Sequence, residues 1–233
     1  MSTERIRHNL ESVQRLIAEA ARRSGRPADA VRLVAVTKKS PLESIRAVVA
    51  CGARDLGENY PQELWSKIDA LADLDATVRW HLIGHLQSNK VKKTLPKVRM
   101  IHSVDSLNLL RVLDKSALDL VDPPAVCLQV NTSGEASKHG WTGEQILPEA
   151  ASIAACRTIP IVGLMTMAAM GSTAEEARAS FVRLRELRDA LRLRTDLPLV
   201  ELSMGMSSDF EVAIEEGATL VRVGSALFEG AWP

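Results

Sequence analysis

A chain of 233 residues with 46% apolar and 25% charged side chains suffices for one domain with a sizeable core, and its length does not demand two. Its 29 Lys plus Arg balance 29 Asp plus Glu, and without a basic excess a nucleic-acid or membrane-surface role is not expected. No apolar run approaches the roughly 20 residues of a membrane helix, the N-terminus is charged and amphipathic rather than a signal peptide, and Cys51, Cys127 and Cys156 form an odd set without metal-ligand spacing; reduced thiols in a cytoplasmic protein are expected.

The elements follow in chain order. Ile6, Leu10, Val13, Ile17 and Ala20 recur at steps of four and three, the face of a helix that Gly25 and Pro27 stop. Apolar runs rich in Val, Ile and Leu then predict strands near 31–37, 53–56, 78–83, 98–103, 125–130, 159–165, 199–203 and 219–223. Helical patterns lie between them near 41–51, 61–72, 89–95, 106–117, 142–155, 173–193 and 208–216. Thr173 followed by Glu176 is a capping-box signature ahead of Phe181, Leu184, Leu187 and Leu191. Such alternation means parallel strands joined by helical crossovers, and eight strands favour a closed (β/α)8 TIM-type barrel over an open sheet. No linker or internal repeat divides residues 1–233, so a single domain is expected.

Functional residues of such barrels gather at the C-terminal strand ends. Those ends read Thr37-Lys38-Lys39, Gly57-Glu58-Asn59-Tyr60, Gly84-His85, His102-Ser103, Asn131, Met165-Thr166-Met167, Ser203-Met204-Gly205-Met206-Ser207-Ser208 and Arg222-Val223-Gly224-Ser225. The last two loops combine glycines, which let backbone approach an anion, with hydroxyls and free N–H groups, and loops after strands seven and eight are the usual phosphate site of this fold. Ordinary Gly-Ser turns are the plainer alternative.

Val34, Val36 and Lys38 share one face of the first strand. If that face points inward, an amine sits above an apolar barrel, where desolvation keeps part of it neutral for carbonyl chemistry. A surface lysine at a strand end is the alternative. Arg222 shares its face with Leu220 and Gly224, and a guanidinium aimed inward needs a partner: a bound ligand, or a carboxylate such as Glu201.

Other features carry plainer readings. His81, His85 and His102 lack the spacing of a metal cluster. Lys90, Lys92, Lys93 and Lys97 read as a solvated face, the arginines of 178–194 interleave with Glu186 and Asp189 as surface, and Trp65, Trp80, Trp141 and Trp232 read as packing.

In ordered combination, Leu33-Val34-Ala35-Val36-Thr37-Lys38, Gly57-Glu58-Asn59-Tyr60, His81-Leu82-Ile83-Gly84 with Leu86-Gln87-Ser88-Asn89-Lys90, Val130-Asn131, Gly163-Leu164-Met165, Leu202-Ser203-Met204-Gly205-Met206-Ser207 and Val221-Arg222-Val223-Gly224-Ser225 span nearly the whole chain. The set resembles the pyridoxal phosphate homeostasis protein family (the YggS/PROSC group), whose fold is similar to the N-terminal barrel of alanine racemase. The resemblance implies pyridoxal 5'-phosphate (PLP) bound covalently to Lys38 as a Schiff base. It also implies that Ser203, Met204, Gly205, Ser207, Gly224 and Ser225 hold the phosphate, that Arg222 faces the pyridine nitrogen, and that Asn59 contacts the ring. Ser225 stands where the family more often has threonine, and the hydroxyl is kept.

Racemisation needs an acid/base group on each face of the substrate carbon. Alanine racemase takes its second base, a tyrosine, from an additional C-terminal domain reaching across a dimer. No room for that domain follows the eighth strand here, and the only tyrosine is Tyr60. The expectation is a monomeric carrier that stores, buffers or delivers PLP, with apo PLP enzymes as possible recipients, no metal and no catalytic residues. A small PLP-dependent amino-acid racemase is the rival, and a phosphosugar enzyme on a phosphate-binding barrel a more distant one.

Overall fold

The computed structural model describes residues 3–135 and 138–231. Trp232 therefore lies outside the described residues. Eight parallel strands close into a barrel in sequence order: β1 (Arg32–Val36), β2 (Asp55–Glu58), β3 (Arg79–Leu82), β4 (Met100–Val104), β5 (Ala125–Gln129), β6 (Ile161–Met165), β7 (Glu201–Ser203) and β8 (Leu220–Val223). The seam between first and last strands is in register, Val34 against Arg222 and Ala35 against Val223. Every strand predicted from the apolar runs is present, each starting within two residues of its predicted start, and β2 and β3 hold four residues each.

Period-two alternation sorts the strand side chains into two cores. Val34, Met100, Cys127, Met165 and Leu220 fill the barrel interior. Ala35, Leu56, Ile101, Leu128, Leu164, Leu202 and Val221 face outward, where the helices cover them. The N-terminal helix α1 (Thr3–Arg23) buries Ile6, Leu10, Val13, Ile17 and Ala20, the face its spacing predicts. Burying five such side chains contributes on the order of 1.5–3 kcal/mol for each large one.

Helices α2 (Leu42–Ala50), α3 (Pro61–Ala70), α4 (Val91–Thr94) and α5 (Leu107–Ala117) occupy predicted segments. The segment near 89–95 holds one α turn, α4, flanked by 3-10 turns at Ser88–Lys90 and Leu95–Lys97, the second of which contains Pro96, whose missing donor cannot extend the α-helix. The segment at 142–155 is two short helices, α6 (Gly143–Ile146) and α7 (Ala150–Ala154), since Pro148 interrupts it. Helix α8 (Ala174–Arg192) begins in the predicted capping box, with Thr173 and Glu176 each accepting from the other's backbone N–H. Its arginines are more than solvated surface: Arg178 and Arg185 pair with Glu215 and Glu216 of α9 (Phe210–Glu215) and its C-terminal neighbour. A last turn, α10 (Ser225–Phe228), follows β8 and escaped the sequence reading, four residues being too few for a helical period.

Among the described residues no helix is long and apolar enough to cross a membrane, and Cys51, Cys127 and Cys156 are free thiols. Trp80 and Trp141 are buried; Trp65 is half-buried beneath the Lys93 ammonium, 4.2 Å from the ring centroid. That contact gives one lysine of the basic segment a fixed place, and Lys97 pairs with Asp69.

Candidate functional site

The strand ends open into a cavity of about 570 Å³. Lys38, Asn59, Ser207, Arg222, Gly224 and Ser225 line it, six of the nine residues singled out in the sequence. Ser203, Met204 and Gly205 do not line it. Ser203 is fully buried and accepts from Arg222 above it, and Met204 is fully buried in the layer between strands and helices.

Lys38 lies one residue past buried Thr37, on the face that Val34 and Val36 turn inward. The expected desolvation is not met: Lys38 is exposed at the rim, with no hydrogen-bond or ion-pair partner among the described residues. What is buried is its foundation. Thr37 Oγ1 donates to Glu58 Oε1 at 2.5 Å, and Lys67 Nζ of α3 bridges Glu58 Oε1 at 2.7 Å and the Thr37 carbonyl at 2.8 Å. Burial pushes the Glu58 carboxyl up, against the pull of Lys67 and Thr37. Lys39 adopts a left-handed backbone, φ 61°, which turns the chain away from the barrel immediately after Lys38.

Asn59 is placed by a close crossing of two loops. A Cβ on Gly84 would stand 2.2 Å from the Asn59 carbonyl oxygen, so the chain after β3 passes against the chain after β2 only because residue 84 is glycine.

At the other wall, Gly205 holds φ +93°, and a side chain there would meet Ala213 Cβ at 2.6 Å. The turn continues into Ser207, whose Oγ accepts the amides of Gly224 at 3.3 Å and Ala226 at 3.4 Å. The loops after β7 and β8 are thus tied together through the Ser207 hydroxyl at one wall of the cavity. Asp209 accepts from the Met206 amide at 2.6 Å and fixes that turn.

Arg222 points into the barrel with 4% exposure. The suggested partner Glu201 is not the one it takes. Glu201 pairs with Arg32 and accepts from Thr219, toward the opposite end of the barrel. Arg222 instead donates from Nη1 to Ser203 Oγ at 2.6 Å and from Nη2 to the Thr166 carbonyl at 2.9 Å. Burial lowers the guanidinium to about 10, so it stays a cation at neutral pH.

Beneath it runs a buried polar chain that the sequence reading missed. Ser203 Oγ lies 2.6 Å from His102 Nδ1, His102 Nε2 lies 2.8 Å from His81 Nδ1, and His81 Nε2 lies 2.9 Å from Asp55 Oδ1. Burial disfavours the Asp55 carboxylate, but hydrogen bonds from His81 and Arg79 outweigh it and hold the carboxyl well below the usual range. Burial also pushes both histidines down, to the neutral form. Every proton in the chain follows from those charges. A carboxylate only accepts, so His81 carries its hydrogen on Nε2 and leaves Nδ1 as acceptor. His102 must then donate from Nε2 and accept at Nδ1 from the Ser203 hydroxyl, which accepts in turn from Arg222. All donors point from Arg222 toward Asp55. Residues 81 and 102 were legible only as odd polar residues in apolar strands; nothing in their spacing announced the partnership.

His85 parts company with that pair. It lies in the loop after β3, with Nδ1 2.9 Å from Asp105 Oδ2, and its ring stacks on His139 at 4.9 Å. Gly84 and His85, from the predicted end of β3, line the cavity, and so do Val36, Gln129 and His139, to which the sequence assigned no role in the site.

Fold and mouth together define a barrel of the alanine racemase N-terminal type: the model of the family described as "Alanine racemase, N-terminal domain" matches residues 1–231. The pyridoxal phosphate homeostasis protein of Aquifex aeolicus is 41% identical over 225 residues, 97% of this chain and 96% of that one. The chain belongs to the pyridoxal phosphate homeostasis protein family. Among solved structures, PipY of Synechococcus elongatus with PLP bound is 39% identical, with a TM-score of 0.83 over 96% of this chain and 99% of PipY. Alanine racemase of Corynebacterium glutamicum shares the fold alone, at 16% identity and a TM-score of 0.72; the match covers 97% of this chain and 60% of the racemase.

Proposed function

We propose that this protein binds PLP as a Schiff base on Lys38 and acts in intracellular PLP homeostasis, storing, buffering or delivering the cofactor rather than turning over a substrate. The observation that carries the reading is one cavity lined at once by a lysine without a partner among the described residues, the hydroxyls and glycine of the loops after β7 and β8, and a buried guanidinium. The residues fit the group. Ser207, Gly224 and Ser225 supply donors for a phosphate, with Ser203, Met204 and Gly205 shaping the turn behind them. Arg222 is donor-only, so a pyridine nitrogen facing it must be the acceptor and therefore unprotonated. Asn59 stands beside Lys38 on the ring side. Bound PLP supplies an electrophilic aldehyde, and the Asp partner used where the ring must act as a strong electron sink is replaced here by a cation that leaves the pyridine nitrogen unprotonated. Apo PLP enzymes are the recipients the delivery reading calls for.

The test is an absorbance spectrum of the purified protein before and after borohydride reduction, followed by peptide mapping. A pyridoxyl adduct on Lys38 is expected. An adduct on any other residue overturns the assignment.

One observation favours the racemase alternative. Tyr60 is exposed and does not line the cavity, but His85 and His139 do, and an imidazole is a titratable group of the kind a second base requires. A panel of D- and L-amino acids separates the readings: multiple turnover that disappears in Lys38→Ala would sink the carrier function.

A further inference from the structure

Three loops that follow adjacent strands bring His85, Asp105 and His139 together at the rim of the cavity. One donor atom from each, two imidazole nitrogens and a carboxylate oxygen, lie within 4.8 Å of one another. Asp105 is mostly buried and half-exposed His85 is oriented against it at 2.9 Å. The His139 ring lies nearly parallel to that of His85, with 20° between planes. The backbone under His139 is braced: its carbonyl accepts from Gln129 Nε2 at 2.9 Å, and Gly140 at φ +115° packs against the Gln129 carbonyl. Two imidazoles and a carboxylate are a donor set of borderline softness that suits zinc and its neighbours rather than magnesium or calcium.

We propose that His85, Asp105 and His139 form a binding site for a divalent transition-metal ion at the mouth of the barrel. Donors around tetrahedral zinc stand roughly 3.3 Å apart, given metal–ligand distances of about 2.0–2.1 Å, so side-chain rotations of roughly 1 Å close the site without moving the strands. Three protein ligands leave a further position for water or for an anion in the cavity that His85 and His139 line. A bound ion would tie the loop carrying His139 to the ends of β3 and β4, and would engage the two imidazoles otherwise available as bases.

The test measures the metal directly and does not depend on PLP. The purified full chain is titrated with zinc by calorimetry, and with cobalt(II) by its visible ligand-field bands, with and without bound PLP. Binding of about one equivalent is expected, weakened about tenfold or more in each of His139→Ala and Asp105→Asn, and unchanged in His8→Ala on exposed α1. Absence of stoichiometric binding, or binding that survives both substitutions, overturns the site whatever the fate of PLP on Lys38.

Discussion

Arg222 is the residue on which the cavity's electrostatics turn, and it is held from below. Its two hydrogen bonds go to Ser203 and to the Thr166 carbonyl, and Ser203 passes the interaction through His102 and His81 to Asp55. Ser203→Ala removes one acceptor for the buried guanidinium and the donor to His102 Nδ1 together. Leaving such groups unsatisfied costs about 1–3 kcal/mol each, so a drop of that order in unfolding free energy is expected in denaturant titrations. The chain also fixes tautomers. Side-chain nitrogen NMR of labelled protein should report both His81 and His102 protonated on Nε2 and not on Nδ1; a proton on Nδ1 of either would show that the order deduced here is wrong. The sequence displayed Arg222 as an inward-pointing cation and left its partner open. Strand parity gives direction, but which of several carboxylates or hydroxyls lies across a barrel depends on registers between strands far apart in the chain.

At the scale of elements, two glycines in the strands and loops do different jobs. Gly163 in β6 faces the adjacent β7, where a Cβ would meet the Glu201 carbonyl oxygen at 2.0 Å. Gly84 makes the same kind of approach at the mouth, 2.2 Å from Asn59. Alanine at either position forces backbone to move, at a cost of about 1–3 kcal/mol or more. Gly163→Ala should lower stability while PLP affinity, measured by fluorescence titration, changes little. Gly84→Ala should lower both, because the displaced backbone carries Asn59. Equal PLP affinity in the two variants would dissociate Asn59 from the site. The elements themselves were readable. Apolar runs marked all eight strands and the capping box marked the start of α8. Pro148 stands inside the helix predicted at 142–155 and interrupts it, whereas Pro96 lies one residue past the one predicted at 89–95.

Across the whole molecule, the buried histidines set a pH dependence. His81 and His102 are held neutral in the folded state by burial, whereas in the unfolded chain each takes up a proton below about pH 6.5. The unfolded state therefore binds more protons as pH falls below that value, and stability present above it is lost progressively toward the lowered folded-state values. Each histidine contributes a slope of about 1.4 kcal/mol per pH unit within that window. Unfolding free energies measured from about pH 7.5 down to about pH 5.5 should be flat at first and then decline. A profile that stays flat through the lower half would mean the histidines are charged or exposed in the fold.

The chain of amino acids by itself determined the barrel, its eight strands, the end at which function gathers and the polar groups there, Lys38 foremost. Those properties are local: period two, period 3.6, and the order of runs along the chain carry them. The closed tertiary structure decided what Lys38 and Arg222 meet. It left Lys38 exposed at the rim rather than desolvated, braced its strand through Thr37, Glu58 and Lys67, and gave Arg222 a serine and a carbonyl in place of Glu201. It also split three histidines that looked alike in sequence, two into a buried chain and one to the mouth beside Asp105 and His139. Barrel closure brings together residues separated by tens to more than a hundred positions, and no local period records such pairings.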